Sequence, residues 1–141
     1  MAHAYDKAKY HDETVQGHGL PEEHASNHIV YFLRWLIDRR LTSDLLETES
    51  DGLVDSVRRG DNTIHDLFNH WDRCLVDDML SDEGNAFAMV YFDYEKGDYL
   101  KDYEKLLKPR YEDVYFAPYS DETYRQFAAV IDGRYRAWKG K

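Results

Sequence analysis

The chain has 141 residues, a length typical of one domain, and 43% of them are apolar, which is enough for a globular core of ordinary size. Its 28 acidic and 18 basic residues give a net charge of −10, which disfavours contact with nucleic acids and anionic membranes and suits a basic protein partner. The single cysteine, Cys74, excludes an internal disulfide and a cysteine-based metal cluster. With no secretory signal in the sequence and no apolar run long enough to span a bilayer, we expect a cytoplasmic protein.

The first 20 residues are polar and rich in His and Gly, which predicts an extended arm or loop held against the body by Tyr5 and Tyr10. Pro21 suits the first position of a helix, and Glu22 and Glu23 favour its positive end. Apolar residues then recur every three or four positions as far as Ile37, so the sequence predicts a central core helix over residues 21–40.

Shorter helices are predicted in the middle of the chain. Residues 51–59 form one, with Gly60 as its stop, and a longer one starts at Thr63 and continues to about Leu75, which places Cys74 on a helix as a small core residue. The segment 41–50 is compatible with a short turn of helix.

Residues 81–107 read as two helices. Ser81 is a favourable N-cap, and Phe87, Val90, Tyr91 and Tyr94 are predicted to share a buried face. Gly97 is predicted to be a left-handed stop before the second helix, which Pro109 ends.

A connection over residues 110–120 leads to the last helix, whose apolar stripe runs from Tyr124 to Trp138. No repeat or linker divides the chain, and strict alternation of apolar and polar residues is absent. We therefore predict an all-α, or nearly all-α, compact single domain of five to six helices, with residues 1–20 as the arm and residues 21–141 as the helical body.

Seven histidines raise the possibility of a metal-dependent or small-molecule enzyme. His24 and His28 are four residues apart on the predicted first helix, so they are weak candidates for a metal site, with His18 or Glu23 as a third ligand. A buried His28, hydrogen-bonded by the N-terminal arm, with His24 exposed, is the structural alternative. Neither a complete catalytic motif nor a phosphate-binding loop is present, so we expect no catalytic residue and no cofactor.

Charge gives the more informative signal. Residues 72–104 contain ten acids and three bases, a local balance of −7, whereas residues 124–141 contain five bases and one acid, a balance of +4. An acidic surface interleaved with tyrosines is suited to a basic protein partner. The candidate contact residues are Asp77, Asp78, Asp82, Glu83, Asp93, Glu95 and Asp98; the alternative is a solvated helix face with the tyrosines in the core.

Several segments together resemble a family of small uncharacterised bacterial proteins. They are YDKAKYH, NHIVYFLRWLIDRRL, DEGNAFAMVYF, YLKDYEKLL and DGRYRAW, and they extend from about Tyr5 to Trp138. The small residues of the EGNAFA segment suit close helix packing, so we interpret this motif as fold-determining. The family is similar to immunity proteins of bacterial polymorphic toxin systems, which neutralise a toxin domain by covering it.

The resemblance implies an acidic binding protein, an immunity-type inhibitor whose partner is a basic protein such as a cognate toxin domain. Two alternatives stay open: the histidine-dependent enzyme, and an oligomer whose aromatic faces pair with themselves.

Overall fold

The computed structural model describes residues 3–93 and 95–141. Helices, including the short 3-10 turns, make up 64% of the described residues and surround one core, and these residues contain just one small two-stranded sheet, so the nearly all-α single-domain prediction is confirmed. The α-helices are α1 (Lys9–Gly17), α2 (Asn27–Asp38), α3 (Asp44–Glu49), α4 (Leu53–Arg59), α5 (Ile64–His70), α6 (Asp82–Tyr91), α7 (Tyr99–Leu107) and α8 (Asp121–Lys139). The strands are β1 (Ala4–Lys7) and β2 (Cys74–Val76), and 3-10 turns occupy Glu22–Ala25, Asp77–Met79 and Val114–Phe116.

The α2 helix is the centre of the molecule. Every residue from Asn27 to Ile37 is buried except Arg34. Trp35 of α2 donates its indole N–H to Asp132 of α8 at 2.9 Å, and the ring of Tyr31 stacks on that of Tyr119 at 4.8 Å. Apolar residues on all sides of α2 explain this position, because a helix that is apolar all round is stable only when neighbours cover it completely.

The N-terminal segment is not the predicted arm. Residues Ala4–Lys7 form β1, which pairs antiparallel with β2, and Lys9–Gly17 form α1. Asp6 and Ala8 are buried, which makes this segment part of the core, whereas Tyr10, one of the two predicted anchors, is 64% exposed. The described residues contain eight α-helices instead of the predicted five to six, because α1 and α3 both form.

The pairing with β1 also changes the prediction for Cys74. The α5 helix ends at His70, and Cys74 begins β2 instead of continuing a helix. Asp72 and Arg73 have positive φ angles of 58° and 57°, and this left-handed turn reverses the chain into the strand. The helical periodicity through Leu75 therefore predicted a helix where a strand forms. The periodicity could not show that this segment pairs with β1.

Helix α6 begins as predicted and ends earlier. The Ser81 hydroxyl accepts the Gly84 N–H at 3.1 Å and donates to the Leu41 carbonyl at 3.0 Å, which confirms Ser81 as the N-cap. The helix ends at Tyr91, and Gly97 is not in the left-handed region. Gly97 is required for a different reason, since a Cβ there would collide with the carbonyl oxygen of Tyr91.

Three of the four regularly spaced tyrosines lie in the core, namely Tyr91, Tyr99 and Tyr103, as their helical spacing predicted. The fourth, Tyr94, lies outside the described residues. No helix in the described part of the chain combines the length and the apolar character that crossing a bilayer requires.

Candidate functional site

Four of the seven acidic candidates have partners within the chain. The carboxylate of Asp77 accepts the His3 N–H at 2.9 Å, and that of Asp93 accepts the Glu95 N–H at 2.8 Å. The other two meet the basic end of α8: Glu83 binds Lys139 at 3.0 Å and the Tyr135 hydroxyl, and Asp98 binds Arg134 at 3.3 Å. The predicted separation into an acidic and a basic region is therefore only partial, because the two charged segments pack against each other.

The remaining candidates, Asp78, Asp82 and Glu95, are exposed, and their carboxylates make no hydrogen bond or ion pair to any described residue. Asp78 precedes α6 along the chain, Asp82 is its first residue, and Glu95 follows it. The unpaired part of the predicted acidic surface is thus concentrated around that helix.

The exposed side of α6 carries an apolar centre that sequence analysis did not predict. Gly84, Phe87, Ala88 and Tyr91 form its buried stripe. Since successive residues are about 100° apart on a helix, Asp82, Ala86, Met89 and Val90 point away from this stripe, and Asp93 follows just after the end of the helix. We call these five residues the α6 outer face.

Met89 and Val90 give the α6 outer face its apolar character, with 59% and 57% of their surfaces exposed. The prediction that Val90 is buried with Phe87 is wrong, because Val90 lies about 100° from the centre of the buried stripe. Met89 also borders a groove of about 360 Å³ that includes Tyr5, Asp93 and Glu95. The adjacent Met89 and Val90, close in sequence to Asp93 and Glu95, are the signal that could have identified this surface. It was missed because Val90 was assigned to the buried side.

The predicted histidine pair does not form. His24 belongs to the 3-10 turn and His28 to α2, and the break between them points their donor atoms to different partners. His24 is buried, not exposed, and its Nδ1 lies 2.6 Å from the Tyr115 carbonyl oxygen. Neither His18 nor Glu23, the suggested third ligands, joins a cluster with them.

His28 instead belongs to a buried cluster with Asp6 and His11. Nε2 of His28 lies 2.8 Å from one carboxylate oxygen of Asp6, and Nε2 of His11 lies 3.0 Å from both oxygens. The two imidazole rings meet edge to face with centroids 4.5 Å apart. The structural alternative for His28 is therefore confirmed in its main part, with strand β1 and helix α1 as the partner. The sequence contains a trace of this cluster, since Asp6 and His11 both lie in the segment YDKAKYHD.

The hydrogen bonds define the protonation of the cluster. Burial raises the pKa of Asp6, but the hydrogen bonds from His11 and His28 and their charges outweigh it, so that the pKa lies below its ordinary value. Burial lowers the pKa of His28, and this outweighs the attraction of Asp6. At neutral pH a carboxylate thus accepts an N–H from each ring, and His28 is neutral.

Tyr115 extends the cluster towards solvent. In the tautomer of His11 that donates Nε2–H to Asp6, Nδ1 accepts the Tyr115 hydroxyl at 2.6 Å. Burial, with a smaller effect of the charge on Asp6, raises the pKa of Tyr115 to about 12. This tyrosine is therefore a hydrogen-bond donor at neutral pH and not a phenolate nucleophile.

A cavity of about 370 Å³ lies beside the cluster, lined by His11, His28, Tyr103 and Tyr115 among others. The Tyr103 hydroxyl and Nδ1 of His28 have no hydrogen-bond partner among the described residues. Every fully buried side-chain nitrogen or oxygen atom of these residues does have a partner, so neither of the two atoms is fully buried. Both atoms must therefore reach the cavity. The cluster combines a buried carboxylate, two imidazoles and access to solvent, which is a donor set able to hold a proton or a metal ion.

Comparison with known proteins gives a family but no function. No curated protein and no solved structure matches the chain. Residues 4–117 match a family described as a domain of unknown function, DUF7832. The match begins at β1 and ends after the 3-10 turn at Val114–Phe116, so it includes the Asp6–His11–His28 cluster, Tyr115 and the α6 outer face. Since it covers well over half of the chain, this protein belongs to the DUF7832 family.

Proposed function

We propose that the protein is a binding module for a basic protein partner, an immunity-type inhibitor that neutralises a toxin domain by covering it. The observation that carries this proposal is the α6 outer face, where Met89 and Val90 are exposed side by side between acids at both ends of the helix. The class of partner follows from the sequence interpretation, in which the quoted segments resemble a family similar to immunity proteins.

The composition of this face suits protein binding. Exposed apolar side chains have little reason to be adjacent on a monomer surface unless a partner covers them, and methionine is enriched at interfaces. The unpaired acids Asp82 and Glu95 would form the rim, where charge accelerates association more than it increases affinity. A basic surface with an apolar pocket is the complementary partner.

Binding should be tested against any toxin domain that is encoded beside this gene, by calorimetry and by rescue of cells that express that domain. We expect Met89→Ser with Val90→Ser to weaken binding at least 10-fold, because the two residues form the apolar centre. Leu45→Ser is the matched control, since Leu45 is an exposed apolar residue on α3, and it should leave binding unchanged.

The acids make a separate contribution. We expect Asp82→Ser with Glu95→Ser to slow association and to reduce its dependence on salt, with a small change in the dissociation rate. Glu13→Ser, at an exposed position on α1, is the control.

Three outcomes would reject the proposal. The first is binding that none of the four α6-region substitutions changes. The second is the absence of any toxin gene beside this one. The third is a concentration-dependent dimer in sedimentation that Met89→Ser with Val90→Ser dissociates, since a second copy of the chain would then cover the face.

A further inference from the structure

We infer that Asp6, His11 and His28 bind a divalent transition-metal ion. One donor atom from each of the three residues lies within 4.8 Å of the other two. They come from β1, α1 and α2, three elements that the core holds rigidly together. This inference is independent of the α6 outer face and goes beyond partner binding.

The type of donor favours a transition metal. Two imidazole nitrogens and one carboxylate are the ligands of many zinc centres and of non-haem ferrous centres, both of which leave positions open for water. Magnesium and calcium instead prefer sites built from oxygen. Clusters of exposed acidic residues are common on protein surfaces and need no metal. Here, however, the Asp6 carboxylate is fully buried, and His11 and His28 both point Nε2 at it.

The spacing needs little adjustment. Around an ion with bonds of about 2.1 Å, neighbouring donors lie about 3.0 Å apart in an octahedral site and about 3.4 Å apart in a tetrahedral site. The Nε2 atoms already lie 2.8 Å and 3.0 Å from the Asp6 oxygens. An ion would replace the two N–H bonds to the same carboxylate and would draw around it three donor atoms that lie within 4.8 Å of one another.

The protons have places to go. Metal coordination at Nε2 requires each neutral ring to carry its proton on Nδ1 instead. For His11, Nδ1–H would then donate to the Tyr115 oxygen, so the existing 2.6 Å contact would persist with its direction reversed. For His28, which lines the cavity, Nδ1–H would donate a hydrogen bond to water there. Tyr115 would thus orient a ligand in the way that outer groups of metal sites do.

An ion also has a path to the cluster. The side chain of His11 is 17% exposed, and His11 and His28 both line the 370 Å³ cavity. The lining of this cavity includes three acids, Glu104, Glu112 and Asp113, and one base, Lys108, so its net charge attracts cations.

The test is titration of the full chain, without an affinity tag and after treatment with a chelator, with zinc chloride by calorimetry at pH 7.5. We expect one ion per chain, and His11→Gln and His28→Gln should each weaken binding at least 10-fold. His18→Gln and Cys74→Ser are controls for other zinc-binding side chains and should change affinity less than twofold. Stoichiometric binding that the controls abolish, or no binding at all, would overturn the inference.

A second measurement on the unmodified protein covers the case in which the cluster variants do not fold. Nitrogen NMR of the histidine rings should show two of the seven histidines changing from the Nε2–H to the Nδ1–H form when zinc is added. If zinc leaves all seven rings unchanged, the cluster is a purely structural hydrogen-bond network.

Tyr115→Phe tests the positioning role. It should weaken zinc binding about 10- to 100-fold, the usual effect of losing an outer partner, while the two histidines still change tautomer. Unchanged affinity would show that Tyr115 does not orient His11.

Discussion

Gly84 permits the closest approach between α6 and the rest of the molecule. A Cβ at this position would collide with the Leu41 carbonyl oxygen, which also accepts the Ser81 hydroxyl. Backbone cannot move aside as a flexible side chain can. We therefore expect Gly84→Ala to lower the free energy of unfolding by about 1–3 kcal/mol, the usual cost of overpacking. Urea denaturation measures it.

Gly133 provides the matched control, because it lies inside α8 and an added Cβ would meet no atom within 4 Å. Gly133→Ala should stabilise the protein by about 0.5–1 kcal/mol through helix propensity. A loss of stability at Gly133, or none at Gly84, would show that the close contact with Leu41 does not determine the choice of residue.

His28 makes stability dependent on pH. Because burial lowers its pKa in the folded state below the ordinary 6.5, the unfolded chain binds more protons as the pH falls below about 6.5. The stabilising effect of neutral His28 is therefore present above that pH and is lost as the pH falls. The slope that one such group contributes cannot exceed about 1.4 kcal/mol per pH unit.

Urea denaturation at pH 7.5, 6.5 and 5.5 checks this expectation. The unfolding free energy of the native protein should fall across the series, and His28→Gln should reduce the fall. Ile131→Val, a core substitution away from the cluster, lowers stability by about 1 kcal/mol and should keep the native slope. His65, whose pKa burial also lowers, accounts for part of the slope that persists in His28→Gln. Equal slopes in the native and His28→Gln proteins would contradict the assignment.

The Asp102 carboxylate links helix α7 to α6 and α8 through hydrogen bonds. Asp102 is buried, accepts two hydrogen bonds from Arg134 at 2.9 Å and one from the Tyr91 hydroxyl at 2.7 Å. Loss of its charge leaves both donors with a weaker acceptor, so we expect Asp102→Asn to lower the unfolding free energy by about 2 kcal/mol.

Asp98 is the comparison, since it binds the same Arg134 at 3.3 Å but is about half exposed. Asp98→Asn should cost less than about 1 kcal/mol, as exposed ion pairs do, and added salt should reduce even that. If the two substitutions cost the same, burial of the Asp102 carboxylate is not what makes it stabilising.

The elements that sequence analysis predicted are those with strong local signals. α2 and α8 carry long apolar stripes, and the Ser81 cap of α6 depends on residues three apart, so local physics suffices for them. β1 and β2 have no such signal: four and three residues long, they exist because they pair across about 70 residues. For the same reason Cys74 was assigned to a helix that its own neighbourhood favours.

The candidate sites show the same limit at the scale of the whole molecule. Charge counts located the acids, but they could not show that Arg134 and Lys139 fold back onto Asp98 and Glu83. Four-residue spacing suggested His24 with His28, whereas the observed cluster joins residues 6, 11 and 28 from three elements. Contacts of that kind depend on tertiary structure and leave little trace in one sequence.

The N-terminal segment provides the sharpest test of how the whole molecule holds together. Ala8 and Asp6 are buried, and backbone hydrogen bonds join Ala8 to Arg73 at 3.0 Å and Asp77 to His3 at 2.9 Å. Removal of residues 1–8 would uncover β2 and leave His28 without its carboxylate. We expect a loss of at least about 3 kcal/mol, since the truncation removes the charged acceptor of the buried His28 N–H together with several backbone hydrogen bonds to β2, each worth about 1 kcal/mol or more.

Thermal denaturation followed by circular dichroism, with amide exchange in β2, measures the effect. Removal of residues 140–141, which are exposed, is the control and should change the unfolding temperature little. If residues 1–8 were only an arm on an independently stable body, their removal would behave like the control, and the amides of β2 would stay protected from exchange. A truncated chain that melts at the native temperature would therefore show that the helical body folds without β1. It would also show that the hydrogen bond between Asp6 and His28 does not stabilise the fold.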